Sequence, residues 1–170
     1  FSPDGRRVAT CGRDRTVWIW SIDTDQDDDN PEFECEAVLQ EHQQDVKCLQ
    51  WHPSSELLFS GSYDNNIKLF GCPLDADEWL CLDTKSGHAS TVWSLAWHNN
   101  QLYSASDDKT VIWWADTNSS SNKFNMSMKP ERRLEGLHDE VIYSVVVGGG
   151  FVVSAGADCQ ICITEVETGV

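Results

Sequence analysis

Histidine, serine and aspartate recur together along this sequence, and these residue types could form a hydrolytic triad. The three copies of the set are His42/Ser60/Asp64, His88/Ser104/Asp108 and His138/Ser154/Asp158. A catalytic triad is a single constellation, in which the serine attacks while the histidine moves its proton. One set in each repeat is instead typical of a structural network, so we expect no catalytic residue. A hydrolase acting through Ser104 is the alternative, and labelling by an active-site serine probe would support it.

Cys159 and Cys162 have the spacing of a metal-binding or redox-active pair. A zinc site needs four ligands, usually two such pairs, and the sequence offers no second pair. The pair falls on a predicted turn and strand, without a helix start that would activate a thiol. The odd total of seven cysteines indicates reduced thiols in the cytosol or nucleus. We therefore expect no metal ligand, no cofactor and no resident iron–sulfur cluster.

The charge balance excludes some classes of partner. The 170 residues include 12 Lys and Arg against 28 Asp and Glu, which gives a formal charge of −16. Binding to a phosphate backbone depends on Lys and Arg, so a nucleic-acid partner is not expected. No apolar stretch approaches the roughly 20 residues of a membrane helix, so no membrane partner is expected. We interpret the acidic run at 23–32 as a solvated loop, or alternatively as a docking strip for a basic partner.

An internal repeat determines the fold. The repeated segments are ATCGRDRTVWIW (9–20), FSGSYDNNIKLF (59–70), YSASDDKTVIWW (103–114) and VSAGADCQICIT (153–164). Each has an aspartate at the same place, and these are Asp14, Asp64, Asp108 and Asp158. The intervals of 50, 44 and 50 residues are close to the period of WD40 blades. The sequence therefore predicts an all-β fold, a WD40 β-propeller with four short strands in each blade.

The repeat also predicts how much of the propeller is here. The predicted strands are 33–39, 46–51, 57–62, 67–70, 79–84, 92–97, 101–106, 111–114, 130–134, 142–147, 151–155 and 161–165. We treat 1–170 as one partial propeller domain, with repeats at about 1–20 (incomplete), 33–70, 79–114 and 130–165. Two blades are complete, the first lacks most of its inner strand and the last lacks its outer strand. We expect a piece of a longer protein, with unpaired edges unless the rest is present.

The repeated polar residues are expected to hold the blades together. A buried aspartate in a tight turn can accept backbone N–H bonds, while the histidine joins it to a hydroxyl and to a third-strand tryptophan. The hydroxyl positions are Thr10, Ser60, Ser104 and Ser154. Only the third repeat has all four members, ending in Trp114, while the first keeps the tryptophan as Trp20. Phe70 and Thr164 replace it in the second and fourth repeats.

The same register predicts an interaction face at the rim. Arg13, Tyr63 and Asp107 stand immediately before a turn aspartate. Lys47, Trp93 and Tyr143 flank the first core residue of each inner strand. Arg, Tyr and Trp are enriched at binding hot spots, and Arg13 could anchor a carboxylate in this acidic chain. The alternative is that Trp93 and Tyr143 merely line a closed central channel.

Several segments resemble one WD40 family closely. ATCGRDRTVWIW, LQEHQQDVKCLQWHPSSELLFSGSYDNNIKLF and GHASTVWSLAWH are similar to the WD40 subunit of the cytosolic iron–sulfur protein assembly (CIA) targeting complex, as are Phe33-Glu34-Cys35 and Trp79-Leu80-Cys81. The resemblance implies a seven-bladed scaffold without catalysis, in the cytoplasm or also the nucleus. Its partners would be CIA targeting subunits and apo iron–sulfur clients. It also implies that Arg13, in Cys11-Gly12-Arg13-Asp14, is exposed on the top face.

Two departures from the family occur in the last repeat, where Val147 and Thr164 replace expected aromatic residues. A different WD40 adaptor remains the second hypothesis, either a ubiquitin-ligase substrate receptor or a chromatin scaffold, because fold alone does not fix function. Binding to a ligase adaptor in place of CIA subunits would favour it.

Overall fold

The computed structural model describes residues 1–23, 31–73, 76–118, 124 and 126–166. In this part of the chain, fourteen strands form four antiparallel sheets. Most of the acidic run at 23–32, and most of the Ser/Asn-rich run at 117–125, lie outside the described residues.

Each sheet is one blade or part of one. Blade 1 contains β1 (Arg7–Cys11), β2 (Val17–Asp23) and β3 (Glu32–Leu39). Blade 2 contains β4 (Val46–Trp51), β5 (Leu57–Ser62), β6 (Asn66–Gly71) and β7 (Leu80–Ser86). Blade 3 contains β8 (Val92–His98), β9 (Gln101–Ser106), β10 (Val111–Asp116) and β11 (Met128–Leu134). Blade 4 contains β12 (Ile142–Gly148), β13 (Phe151–Gly156) and β14 (Ile161–Glu165).

The twelve predicted strands agree with the observed ones to within about two residues. The structure has two further strands, β1 and β2, which fall in the incomplete first repeat. Blades 2 and 3 have four strands each, in the orders β4-β5-β6-β7 and β8-β9-β10-β11. Blades 1 and 4 have three strands each, which confirms the prediction of two complete and two incomplete blades.

The turn between the second and third strands has the same backbone in every blade. The residue directly after each turn aspartate adopts positive φ: Arg15 (69°), Asn65 (69°), Lys109 (67°) and Cys159 (62°). Only asparagine among these four residue types is favoured in that region. The aspartate supports the turn, because its carboxylate accepts the N–H two residues later, as from Thr16 to Asp14 at 3.1 Å.

The hydrophobic cores lie between blades. Val17 and Ile19 of blade 1 pack with Leu58 and Phe70 of blade 2. Blades 2 and 3 bury a second cluster around Leu57, Phe59, Leu95, Leu102 and Trp114. Blades 3 and 4 enclose a third around Tyr103, Val111, Ile142 and Val152. Each of the three cores is thus shared by two adjacent blades.

Candidate protein-interaction face

The third blade contains the complete hydrogen-bond network. His88 Nε2 lies 2.7 Å from Ser104 Oγ, and its Nδ1 lies 2.9 Å from Asp108 Oδ2. Trp114 Nε1 donates to Ser104 Oγ at 2.8 Å. The Ala89 N–H donates to Asp108 at 2.9 Å. Burial would raise the pKa of Asp108, but the bonds from His88 and Thr110 outweigh it and hold the pKa well below its usual range.

The other blades contain versions of this network. In blade 2, His42 lies 2.8 Å from Asp64 and 2.6 Å from Ser60. In blade 4, His138 lies 3.0 Å from Asp158 and 2.9 Å from Ser154. In blade 1, Trp20 Nε1 donates to Thr10 Oγ1 at 3.3 Å, and Asp14 is exposed. Where Phe70 or Thr164 replaces the tryptophan, the serine has no indole donor from that position.

The environment of Ser104 argues against a hydrolase. The serine is fully buried (0% exposed), and its Oγ is already bonded to His88 and Trp114. A nucleophile must be reachable by a substrate carbonyl beside oxyanion donors. These bonds hold the strand ends of the blade together, and the His–Ser–Asp part of the network occurs in three blades.

At the same end of the strands, four side chains from three blades form a contiguous row, which we call the aromatic ladder: Lys47, Tyr63, Trp93 and Tyr143. Lys47 Nζ lies 5.4 Å from the centroids of both the Tyr63 and Trp93 rings, within cation–π range. The Tyr63 and Trp93 centroids are 6.5 Å apart, and those of Trp93 and Tyr143 are 5.3 Å apart, both edge to face. The two tyrosines are 49% and 51% exposed, so another molecule can reach them.

β-bulges explain why three of these side chains project together. The pairing of β4 with β5 jumps from Val46↔Ser62 to Cys48↔Gly61, which leaves Lys47 as the extra residue. Trp93 is extra in the pairing of β8 with β9, and Tyr143 in that of β12 with β13. A bulge bends its strand and redirects a side chain. The sequence analysis placed these residues on the rim but missed the bulges.

Three charged residues outside the ladder accompany it: Asp45, Arg13 and Asp107. Lys47 Nζ bonds Asp45 Oδ2 at 2.8 Å. The pKa of Asp45 is lowered, first by this bond and also by the charge of Arg13. Arg13 is exposed in the blade 1 turn, before Asp14. Asp107, the sixth residue predicted for this face, accepts a bond from Ser90 Oγ at 2.7 Å. Arg13 and Lys47 thus bring two positive charges to this face, which Asp45 and Asp107 balance, whereas the chain as a whole carries −16.

The cysteines are all free thiols, and they lie in blades 1, 2 and 4 or directly beside them. Cys159 Sγ points to the Ala157 carbonyl at 3.8 Å, and Cys162 Sγ to the Leu137 carbonyl at 2.9 Å. Among the described residues, no group of three or more His, Cys, Asp or Glu side chains could hold a metal ion. Within the same residues, no helix has the length and apolar character needed to cross a membrane.

The repeat family follows from comparison with known proteins. The family described as "WD domain, G-beta repeat" matches residues 1–21, 33–71 and 79–115. The chain belongs to the WD40-repeat family. The matched ranges cover blade 1 to blade 3 as far as β10, and the WD40 assignment agrees with the four antiparallel sheets of three or four strands.

Several individual proteins that are similar to this chain share one name. A "Probable cytosolic iron-sulfur protein assembly protein 1" from Chaetomium globosum is 31% identical over 99% of this WD40 chain and 45% of its own length. One of the same name from Scheffersomyces stipitis is 37% identical over 96% of this chain and 50% of its own. "Protein HIRA" of Dictyostelium discoideum is 31% identical over 73% of the chain but only 12% of its own length. The chain spans about half the length of the assembly proteins, whose names confirm the resemblance read from the sequence.

Proposed function

We propose that this WD40 protein is a non-catalytic scaffold of cytosolic iron–sulfur protein assembly, acting in the cytoplasm. The observation that supports this most is the match at 31–37% identity along nearly the whole chain to proteins named for that process. The scaffold docks the subunits of the CIA targeting complex and apo iron–sulfur clients. The cluster is cargo, and no resident cofactor, nucleic acid or membrane takes part.

The docking face in this proposal consists of Arg13, Asp107 and the aromatic ladder. The ladder offers accessible rings that lose little conformational entropy on binding, which is typical of hot spots. Lys47 is 17% exposed and already stacked between two rings, so its cation is pre-positioned. Arg13 is exposed and forms no ion pair with any described residue, so its guanidinium can form a bidentate pair with a partner carboxylate. A partner segment with a carboxylate beside an apolar side chain fits this face.

The function is tested by depleting the protein in cells fed radioactive iron. We expect iron incorporation into cytosolic iron–sulfur apo-proteins to fall several-fold, while total levels of those apo-proteins remain. Re-expression of the wild-type protein restores incorporation. Unchanged incorporation after depletion would overturn the proposal, and accumulation of ubiquitin-ligase substrates in its place would indicate the adaptor hypothesis.

A further inference from the structure

A groove opens at the end of the strands opposite to the aromatic ladder. It lies between the 2–4 turn of blade 1 and the 54–56 turn of blade 2, and its volume is about 360 Å³. The ladder lies where β4 begins, whereas Trp51 in the wall of this groove ends β4. The two sites therefore occupy opposite faces of the molecule, and the proposed scaffold function does not use the groove.

The wall of the groove is held rigidly. The Trp51 ring packs edge to face on Trp79, with centroids 5.9 Å apart. Trp79 Nε1 donates to Glu36 Oε1 at 2.9 Å. The Arg7 guanidinium lies 5.7 Å from the centre of the Trp79 ring and bonds Glu36 at 2.6 Å. It also bonds Glu56 at 2.6 Å, which joins blade 1 to the turn of blade 2. These contacts fix the two indole rings in place, while the 54–56 turn is tied to blade 1 through the half-exposed Glu56 side chain.

Two polar atoms beside the groove lack partners. Trp51 is 8% exposed, and no acceptor for its Nε1 lies among the described residues. Ser55 Oγ is also covered and unpartnered within that part of the chain. Buried polar groups are normally bonded, so such pairs of atoms require an explanation. Both become reachable if the 54–56 turn shifts outward, and hydrogen bonds to an occupant would offset the cost of that shift.

The charges around the groove have a negative excess. Of the residues that line it, Asp4 and Glu56 carry carboxylates, against the one guanidinium group of Arg7. The bonds from Ser2 Oγ and the Arg6 N–H lower the pKa of Asp4, so it is ionised at neutral pH. The Glu56 side chain is 53% exposed at the rim. In a chain of charge −16, this rim favours a cationic partner.

We propose that the groove binds an extended segment of a partner protein in which an apolar side chain stands next to Lys or Arg. The apolar side chain packs against Trp51 and Pro3. The basic side chain lies against Asp4 and Glu56. A backbone carbonyl of the segment accepts from Trp51 Nε1, and a backbone N–H donates to Ser55 Oγ.

The test is capture of the full-length protein by an array of capped seven-residue peptides. Each peptide has Leu, Phe or Ala at its centre and Lys, Arg, Ala or Glu beside it. We expect binding to peptides that combine Leu or Phe with Lys or Arg. The proposal would be overturned if the wild-type protein bound no peptide, or if it bound the Glu peptides as well as the Lys and Arg peptides.

Matched variants locate the site. Glu56→Lys should weaken capture about tenfold, because it places a cation against the basic residue. Glu135→Lys makes the same charge change at an exposed site in another blade and should alter capture less than about twofold. Trp51→Phe should weaken it several-fold through the lost N–H, while Trp113→Phe should not. If each groove variant and its control lost peptide capture equally, with unchanged melting midpoints, the groove would be ruled out as the binding site.

Discussion

Trp113 and Trp114 are neighbours in β10, yet their indole N–H groups lie in different environments. Trp114 donates to Ser104 Oγ at 2.8 Å and completes the network of blade 3. Trp113 stacks on Tyr103 with centroids 5.5 Å apart, and its Nε1 is buried with no acceptor in the described part of the chain. The repeat could assign Trp114 its role, because a serine and a histidine recur in register with it. Nothing in the sequence marks the orphan N–H of Trp113.

We predict unequal costs for removing these two N–H groups. Trp114→Phe loses a buried hydrogen bond and leaves Ser104 with one donor fewer, so the free energy of unfolding should fall by about 2 kcal/mol or more. Trp113→Phe loses similar ring volume but no hydrogen bond, and should cost about 1 kcal/mol less. Urea unfolding of the full-length protein measures both. Equal losses would contradict the role assigned to Trp114.

Stability should also depend on pH through His42. Burial lowers the pKa of His42 below its usual 6.5, although the Asp64 carboxylate opposes this. The unfolded chain therefore takes up a proton at a pH where folded His42 remains neutral. Stability is full above about pH 6.5 and is lost as pH falls toward the folded pKa.

The expected result is a lower free energy of unfolding at pH 5.5 than at pH 7.5. His42→Gln removes the titrating group and should reduce this slope, even though its absolute stability is lower. His98→Gln, outside the network, provides the comparison. A slope unchanged by His42→Gln would show that this histidine does not control the acid sensitivity.

At the scale of elements, the strands were predictable and the bulges were not. The alternation of apolar residues and the recurring aspartate give each strand its place. No residue type signals a bulge at Lys47, Trp93 or Tyr143, because the three side chains share no local preference. The positive φ after each turn aspartate was equally hidden, since arginine, lysine and cysteine occupy it as well as Asn65. Register between strands therefore had to come from the structure.

The last strand shows what a neighbouring blade contributes. Ile161 and Ile163 of β14 are 72% and 67% exposed. The residues at the same repeat positions of β2, Val17 and Ile19, are 1% and 0% exposed because blade 2 covers them. Ile161 and Ile163 thus occupy positions that are buried in blade 1 but exposed here, and such an apolar surface indicates that a further blade packs on β14.

We predict that Ile163→Asp lowers the free energy of unfolding of the full-length protein by about 2–4 kcal/mol, since it buries an unpaired carboxylate. Val38→Asp, on the outer strand β3, should change it by less than about 1 kcal/mol. Denaturant unfolding compares the two. A tolerated Ile163→Asp would mean that no blade packs on β14.

At the scale of the whole molecule, three cores between four blades present the turns at one end as a continuous face. The proposed docking face draws on all four blades: Arg13 from blade 1, Lys47 and Tyr63 from blade 2, Trp93 and Asp107 from blade 3, and Tyr143 from blade 4. The sequence could predict these positions because the repeat places them in register. It could not predict that Lys47 stacks between two rings, since that contact depends on how blades 2 and 3 are packed.

The most direct measurement is co-purification of the full-length protein with purified CIA targeting subunits and an apo iron–sulfur client. Wild type is compared with Arg13→Glu and with Arg132→Glu, an equal charge change on the outer strand β11. We predict that wild type and Arg132→Glu retain subunits and client, while Arg13→Glu stays folded and loses one of them at least tenfold. Failure of wild type to bind would contradict the scaffold function, and full binding by Arg13→Glu would contradict the docking face.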